Sequence, residues 1–317
     1  MIRVVAPSRL HFGLFHVPVG GAEGAERAFG GVGLMIDRPG VVVVVRPAES
    51  WQFEGPLASR AQVFAARFMA SLPEGARRPF QVLVERSPPE HTGLGVGTQL
   101  GLAVAKALAV ACGEPELPSA QLAVRVGRGE RSAIGVHGFD RGGLLADAGK
   151  RAGEAVSPLL AHVTVPDEWR VVLFLPRTAD LWHTDRERAA FAAASPGEPD
   201  TLRRIAETAI LPAAEGGDLE AFGEAVYEFN QRAGEPFAAA QGGVYASPEI
   251  ASLIADVREC GVAGVGQSSW GPTVFAVVGG GDAAVSLLER FRGRAPAFVS
   301  RVSVGGHAVQ CDPPAGD

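Results

Sequence analysis

Short apolar runs and two-residue alternations dominate the first half of the chain. Ile2 to Ala6 is apolar, and Arg9 to Phe15 partly alternates, with Leu10, Phe12 and Leu14 on one side. Gly31 to Asp37 and Val41 to Arg46 repeat the strand pattern on either side of Arg38-Pro39-Gly40, which reads as a turn. Between the first strands lies Gly20 to Gly30, rich in Gly, Ala and Glu, expected to be a mobile loop. Leu57 to Leu72 changes to helical spacing, offering Val63, Phe64, Ala66, Phe68 and Met69 to a core. Phe80, Val82 and Val84 then alternate as a strand. A long Ala/Leu/Val helix runs to about Cys112, and Ser119 to Val126 predicts a second helix with Ser119 as its N-cap. Gly127 to Gly143 reads as a polar glycine-rich loop leading to a strand at Leu144–Ala146. Pro158–Val165 and Arg170–Leu175 predict strands near a domain boundary. From about Asp185 to Arg258 the pattern is mostly helical. A glycine turn at Gly264–Gly271, a strand at Thr273–Val278, a helix at Asp282–Phe291 and a strand at Phe298–Val304 close the chain. The second half thus predicts an α+β arrangement, and no internal repeat is present.

Composition narrows the class. The chain has 317 residues, 47% hydrophobic and 20% charged, which allows one large domain or two ordinary ones with a substantial core. A net charge of −6 argues against nucleic acid as a partner, because phosphate backbones attract basic patches. Of the 29 basic residues only Lys106 and Lys150 are lysines; the rest are arginines, suited to phosphate and carboxylate. Chemistry through a lysine imine has few candidates here. Cys112, Cys260 and Cys311 are odd in number and far apart, which fits no metal spacing and points to a reducing compartment. No apolar run reaches membrane-spanning length and Met1–Pro7 is not a signal-peptide core, so a cytoplasmic protein without membrane contact is expected.

One segment draws attention by its chemistry. Gly93-Leu94-Gly95-Val96-Gly97-Thr98-Gln99 stands at the entry to the long helix. Glycines let backbone N–H groups converge on an anion, the helix N-terminus adds partial positive charge, and Thr98 and Gln99 carry further donors. A tight turn closing the helix is the plain alternative. No lysine follows, as a nucleotide P-loop requires, and the dinucleotide glycine spacing is not met.

Pro89 followed by Gly93-Leu94-Gly95 at a helix start resembles the phosphate loop of the GHMP kinase superfamily. Its kinases continue with two serines and an alanine, where this chain has Val96-Gly97-Thr98-Gln99. The chain more closely resembles one branch of that superfamily, the β-ribofuranosylaminobenzene 5′-phosphate synthases. The likeness lies in four places: Pro7 to Phe12 with Gly30 to Gly33, Gly93 to Leu100, Gly127 to Gly135 running on to Gly143, and Gly264 to Pro272. It departs from that branch at Ser132-Ala133-Ile134-Gly135 and at Asp147-Ala148-Gly149. The resemblance implies a two-domain α+β fold. Residues 1–165 would form a ribosomal protein S5 domain 2-like N-terminal domain and residues 166–317 a ferredoxin-like C-terminal domain. It further implies a dimeric enzyme that transfers ribose 5-phosphate from phosphoribosyl pyrophosphate to 4-aminobenzoate or 4-hydroxybenzoate. Carbon dioxide and pyrophosphate would be released in a step of methanopterin-type cofactor synthesis, with magnesium (Mg2+) screening the phosphates and no organic cofactor. A GHMP-type kinase using ATP is the second reading, and a catalytically silent phosphometabolite sensor the third.

Such chemistry assigns roles to particular residues. Gly93, Leu94, Gly95, Val96, Gly97, Thr98 and Gln99 would form the nest for pyrophosphate. Arg128, Arg131 and Ser132 would add a charged fork and a hydroxyl; a solvated surface pair is the alternative for the arginines. Arg9 and His11 alternate on a strand and so share a face, from which either could reach a phosphate or carboxylate. Asp140 and Asp147 are the acidic candidates, with Asp140 the one expected to act in catalysis or else to cap a loop. Ser268, Ser269 and Trp270 would line the pocket, Trp270 stacking on the arene or packing in the core. His183 with Glu187, four residues apart, reads as a surface pair. Ligands for magnesium are not assigned by the pattern.

Overall fold

The computed structural model describes residues 1–18, 27–176 and 189–311. His183 and Glu187 lie outside the described residues, as does most of the segment from Gly20 to Gly30. Strand β1 (Ile2–Leu14) pairs antiparallel with the long β2 (Gly31–Pro47), and β3 (Gln52–Glu54), β4 (Phe80–Arg86), β5 (Leu144–Asp147) and β6 (Leu159–Val163) extend the same sheet. Helices α1 (Ala58–Ala70), α2 (Val96–Ala111), α3 (Ser119–Val126) and α4 (Ile134–Arg141) belong to this half. Phe64, Phe68, Leu100, Leu108, Leu122 and Phe139 of these helices are buried in one cluster with Val4, Val43, Val82 and Val84 of the sheet.

A second, four-stranded sheet begins with β7 (Arg170–Phe174). After it come the helical run α5 (Pro199–Ile205), a π turn at Ala206–Ile210, and α6 (Leu211–Gly216). Then follow α7 (Leu219–Gly234), α8 (Ala238–Gln241), α9 (Pro248–Glu259), β8 (Gly264–Gln267), β9 (Val274–Val278), α10 (Gly281–Arg290) and β10 (Ala297–Arg301). Its strand order is β10-β7-β9-β8, all antiparallel. With helices between β7 and β8 and between β9 and β10, this is the split βαβ arrangement of a ferredoxin-like domain. The expected α+β fold is therefore what the chain adopts. The final strand β11 (Ala308–Cys311) returns to the first sheet and pairs with Ile2 to Val5 of β1.

The two sheets share a core. Leu10 and Phe12 of β1, and Phe15 just after it, are buried with Trp169, Phe222, Phe229 and Phe275 of the second half. The Phe12 and Phe275 rings lie 5.0 Å apart. Burial of one such side chain contributes about 2–3 kcal/mol, so this seam ties the halves together. It also decides what the other face of β1 does. With Leu10 and Phe12 turned into the seam, Arg9 and His11 face a cleft between the halves.

Several local expectations change in the structure. Arg38-Pro39-Gly40 does not reverse the chain: β2 runs through it, with the register jumping from Ala6 opposite Val41 to Ser8 opposite Ile36. The extra residues bulge outward. Gly127–Gly143 is not one loop, because α4 occupies its second half. Its glycines serve close packing: a Cβ at Gly138 would sit 2.3 Å from the Met35 sulfur. The glycines at 264 and 266 lie in β8 rather than in a turn. A Cβ at Gly266 would meet Asn230 Oδ1 at 2.6 Å, so α7 can approach only where side chains are absent. Ser119 is the first residue of α3 rather than its cap.

Candidate active site

A cleft of about 380 Å³ opens where β1, α1, the loop before α2, the loop before α4 and the turn after β8 meet. Residues 93–98 form one wall. Gly93 and Gly95 have φ of 82° and 70°, in the left-handed region where a side chain is strained. Gly95 is the N-cap of α2, which leaves the first-turn N–H groups of Val96 and Gly97 without intrahelical acceptors, beside the cleft. Two partners fix the loop. Arg9 N–H donates to the Leu94 carbonyl at 3.0 Å, and Ser268 Oγ donates to the Gly93 carbonyl at 2.7 Å. A Cβ at Gly93 would lie 2.2 Å from the Ser268 carbonyl oxygen, so the turn after β8 presses directly on the loop.

Gly95→Ala is expected to cost about 1–2 kcal/mol from the left-handed backbone alone. The added methyl would also lie 3.2 Å from Arg9 Cβ, displacing that side chain. We expect at least a tenfold loss of turnover; full activity in a folded variant would reduce the loop to a turn.

Four arginines surround this wall: Arg9 from β1, Arg60 from α1, and Arg128 and Arg131 from the loop before α4. Arg128 Nη2 donates to Thr98 Oγ1 at 3.1 Å. Burial, then the charge of Arg60, disfavours the Arg128 cation relative to its ordinary state. The carboxylates lining the cleft are Glu90, ion-paired with Arg60, and Glu130. Positive charge therefore predominates, as an anionic ligand requires.

The same cleft holds an aromatic corner. Phe191, Phe237 and Trp270 meet edge to face, with Trp270 centroids 5.5 Å from Phe191 and 4.6 Å from Phe237. Arg131 lies over the Phe191 ring, its Cζ 4.5 Å from the centroid, so one of the cleft's arginines reaches the aromatic corner.

Beneath the cleft runs a buried polar chain. Asp147 is fully buried and accepts four hydrogen bonds, from Ser157 Oγ (2.7 Å), Gly149 N–H (3.1 Å), Ser132 Oγ (2.7 Å) and Ala133 N–H (2.8 Å). Burial raises its pKa while these donors oppose the rise. Ser132 Oγ lies 3.0 Å from His11 Nε2. Since Ser132 has a single proton and gives it to Asp147, His11 donates from Nε2 and keeps Nδ1 as an acceptor. Burial, and secondarily Arg9, holds the His11 pKa well below 6.5, so the ring is neutral.

A histidine kept neutral in the fold but protonated when unfolded stabilises the fold fully above pH 6.5 and loses that contribution as pH falls toward its folded pKa. Denaturant titrations should show stability falling by up to about 1.4 kcal/mol per pH unit from this group below pH 6.5. His11→Gln should flatten that slope. His162 and His307, also lowered chiefly by burial, leave a residual slope of the same sign.

The cleft brings together Arg9, His11, Gly93 to Thr98, Arg128, Arg131, Ser132, Ser269 and Trp270. It does not include three of the expected residues. Gln99 is buried, its Nε2 donating to the Gly135 carbonyl at 2.7 Å. Ser268 is a buried brace that accepts from His11 N–H at 3.0 Å. Asp140 is the larger correction. Its carboxylate lies outside the cleft and accepts from Ser119 N–H at 3.0 Å, serving as the cap for α3 that Ser119 was expected to be. Sequence reasoning missed Arg60, Glu90, Phe191, Asn230 and Phe237. Asn230 ties the halves together, its Nδ2 donating to the Phe12 and Gln267 carbonyls at 2.6 and 2.9 Å. Of these, only Glu90 carried a local signal, next to the Pro89 and Gly93 of the quoted motif.

A resident magnesium ion would need a cluster of oxygen donors free to face it. Among the described residues no cluster of three or more His, Cys, Asp or Glu side chains is placed to hold a metal, and Glu90 is engaged by Arg60. The described residues do not fit a protein-held ion. Lys106 donates to the Pro115 carbonyl at the surface, and neither lysine lines the cleft. Among the described residues no helix is long and apolar enough to cross a membrane.

A ferredoxin-like half joined to a glycine loop at a helix start is the architecture of the GHMP kinase superfamily, and residues 210–297 match the model of the GHMP kinase C-terminal domain. Solved structures agree at the level of fold. A homoserine kinase from Cytophaga hutchinsonii superposes with a TM-score of 0.68 at 14% identity, over 98% of this chain and 97% of that one. A mevalonate pyrophosphate decarboxylase from Streptococcus pyogenes does so at 0.66 and 13%, over 96% and 97%. Sequence relatives are more specific. The chain is 31% identical to the beta-ribofuranosylphenol 5′-phosphate synthase of Archaeoglobus fulgidus, over 92% of this chain and 91% of that protein. It is 31% identical to the enzyme of the same name from Methanothermobacter thermautotrophicus, over 86% and 87%. The chain belongs to the beta-ribofuranosylphenol 5′-phosphate synthase family and is an enzyme of the transferase class.

Proposed function

We propose that the enzyme joins phosphoribosyl pyrophosphate to 4-hydroxybenzoate or 4-aminobenzoate, releasing carbon dioxide and pyrophosphate and leaving a β-ribofuranosyl arene 5′-phosphate. The observation that carries this reading is the pairing, in one cleft, of an arginine-lined glycine loop with the aromatic corner of Phe191, Phe237 and Trp270. The relatives are named for a ribofuranosylphenol 5′-phosphate, a sugar phosphate joined to an arene, which would match the two halves of this cleft.

The bond between ribose C1 and pyrophosphate breaks as C1 gains oxocarbenium character. The ring carbon bearing the carboxylate attacks C1, and loss of carbon dioxide restores aromaticity. The Val96 and Gly97 N–H groups, Thr98, Arg60 and Arg128 receive the charge that develops on departing pyrophosphate. Trp270 and its neighbours hold the arene, and Arg131, over the Phe191 ring, holds its carboxylate. Neutral His11 offers Nδ1 to the proton of the acceptor's para substituent, whose loss enriches the attacking carbon. Magnesium enters with the donor, on its phosphates, as part of the substrate.

The test mixes protein, magnesium, phosphoribosyl pyrophosphate and each benzoate, and looks for carbon dioxide with an equal yield of pyrophosphate. A simpler measurement separates this reading from an ATP-dependent kinase. Phosphoribosyl pyrophosphate should raise the melting temperature by mass action, by about 2.7 kcal/mol of stabilisation at a hundredfold excess over Kd, and ATP should do so less. Stabilisation by ATP alone, with phosphate transfer to a small alcohol, would establish the kinase instead.

A further inference from the structure

We infer that Glu90 is a built-in stand-in for phosphate, holding Arg60 over the glycine loop until donor pyrophosphate replaces it and reclaiming Arg60 to help pyrophosphate leave. This rests on the proposed donor and adds an exchange at its binding site. Arg60 projects from α1, an element outside every glycine motif, yet its Nη2 lies 2.7 Å from where a Cβ of Gly97 would be. Arg128 Nη2 is 3.7 Å from the same point. Two guanidiniums from separate elements thus close on the first turn of α2, and the absence of a side chain at 97 lets them. Like charges that near repel, and an anion between them relieves the repulsion.

In the free enzyme Arg60 pairs with Glu90, three residues before Gly93 on the same loop. Glu90 follows Pro88-Pro89, and the Pro89 carbonyl accepts from Thr92 Oγ1 at 2.8 Å, so the backbone carrying the carboxylate is held in place. Both partners keep part of their surface open, 34% for Arg60 and 23% for Glu90, so an incoming anion has access to the pair. A carboxylate and a phosphate oxygen present the same acceptor to a guanidinium fork, and the phosphate carries more charge. The pair therefore opens only for a strong anion. The displaced Glu90 stays within reach and competes again for Arg60, which favours release.

The opposed signs of two substitutions test this. Binding of inorganic pyrophosphate, without acceptor, is measured by titration calorimetry on wild type, Glu90→Gln, Arg60→Gln and the double variant, with melting curves as the check on folding. Glu90→Gln should tighten pyrophosphate about fivefold and slow its release, and Arg60→Gln should weaken binding about tenfold or more. In the Arg60→Gln background the Glu90→Gln change should shrink to less than about twofold, the mark of direct coupling. If Arg60→Gln fails to fold, Arg60→Lys replaces it, and Glu90→Gln should still tighten binding there, by less than in wild type. Weaker or unchanged binding in Glu90→Gln, or an equal effect with and without the guanidinium, overturns the exchange. Wild type that binds no pyrophosphate overturns the exchange and the proposed donor together; pyrophosphate binding without arene ribosylation leaves the exchange standing and removes only the proposed reaction.

Discussion

Arg128→Gln is expected to lower kcat/KM at least a hundredfold, about 2.7 kcal/mol, and to make the protein more stable. Arg128 stands between Gly127 and Gly129, whose φ values of 67° and 81° let the loop turn its side chain inward. Its Nη2 donates to Thr98, but its buried Nε has no hydrogen-bond partner among the described residues. Burial and the nearby charges of Arg60, Arg131 and Arg67 all work against this cation, and only Glu130 favours it. A guanidinium held so expensively in the free enzyme is best satisfied by a bound anion. Removing it relieves desolvation and repulsion, for a gain of about 1 kcal/mol or about 2 °C in melting temperature for a chain this size. Activity falls because pyrophosphate loses a charge-assisted donor: the KM for phosphoribosyl pyrophosphate should rise and kcat should fall, since Arg128 also meets the charge that develops on the leaving group. A variant with unchanged activity, or with lower stability, would show that Arg128 is a structural group.

Asp147 produces the opposite stability change. Asp147→Ala strands four donors at once, three of them buried, and is expected to cost about 3–5 kcal/mol, enough to threaten folding. Asp147→Asn is the more instructive variant. Its amide nitrogen must face one pair of donors, at a cost of about 2 kcal/mol. If that nitrogen faces Ser132, the serine accepts instead of donating and turns its proton to His11 Nε2. The imidazole then carries its proton on Nδ1 and loses the acceptor it offers to substrate. We expect a folded protein with about a hundredfold lower kcat and little change in donor KM, and a His11 ring whose nitrogen NMR shifts report the exchanged tautomer. Loss of stability with an unchanged tautomer and kcat would confine Asp147 to structure. In wild type, its raised pKa also means that stability is gained as pH falls from that pKa toward 3.8, opposite in sign to His11.

The strands and helices with strong periodicity were legible in the sequence. Leu10 and Phe12 alternate with Arg9 and His11, and the structure puts the first pair in the seam and the second in the cleft. The apolar run after Gly97 is α2, buried through Leu100, Leu102, Ala105 and Leu108. Glycine misled where its reason was contact rather than conformation. Gly135 and Gly138 read as loop residues, yet they sit in α4 because Gln99 and Met35 occupy the space of a Cβ. Gly264 and Gly266 are strand residues for the same reason, facing Gly223 and Asn230 of α7. At Gly93 and Gly95 the positive φ agrees with the local reading. The short β11 has too little pattern to be seen, and its place beside β1 is set by pairing across the whole length of the chain.

From sequence alone, the strongly patterned strands and helices, the glycine loop at the start of α2, the arginine-rich composition and the family likeness follow, because propensity, turn chemistry and motif are local and need no partner. Only the tertiary structure decided which charges do what. Asp140 and Asp147 are seven residues apart in similar surroundings, yet one caps α3 and the other lies buried under Ser132. Arg60 and Glu90 come together with Arg128 because α1, the loop before α2 and the loop before α4 converge on one helix end. The aromatic corner assembles from residues 191, 237 and 270. Burial and pairing are properties of neighbours brought from distant parts of the chain, and they fix whether an ionisable group is a cap, a brace or a hand for the substrate.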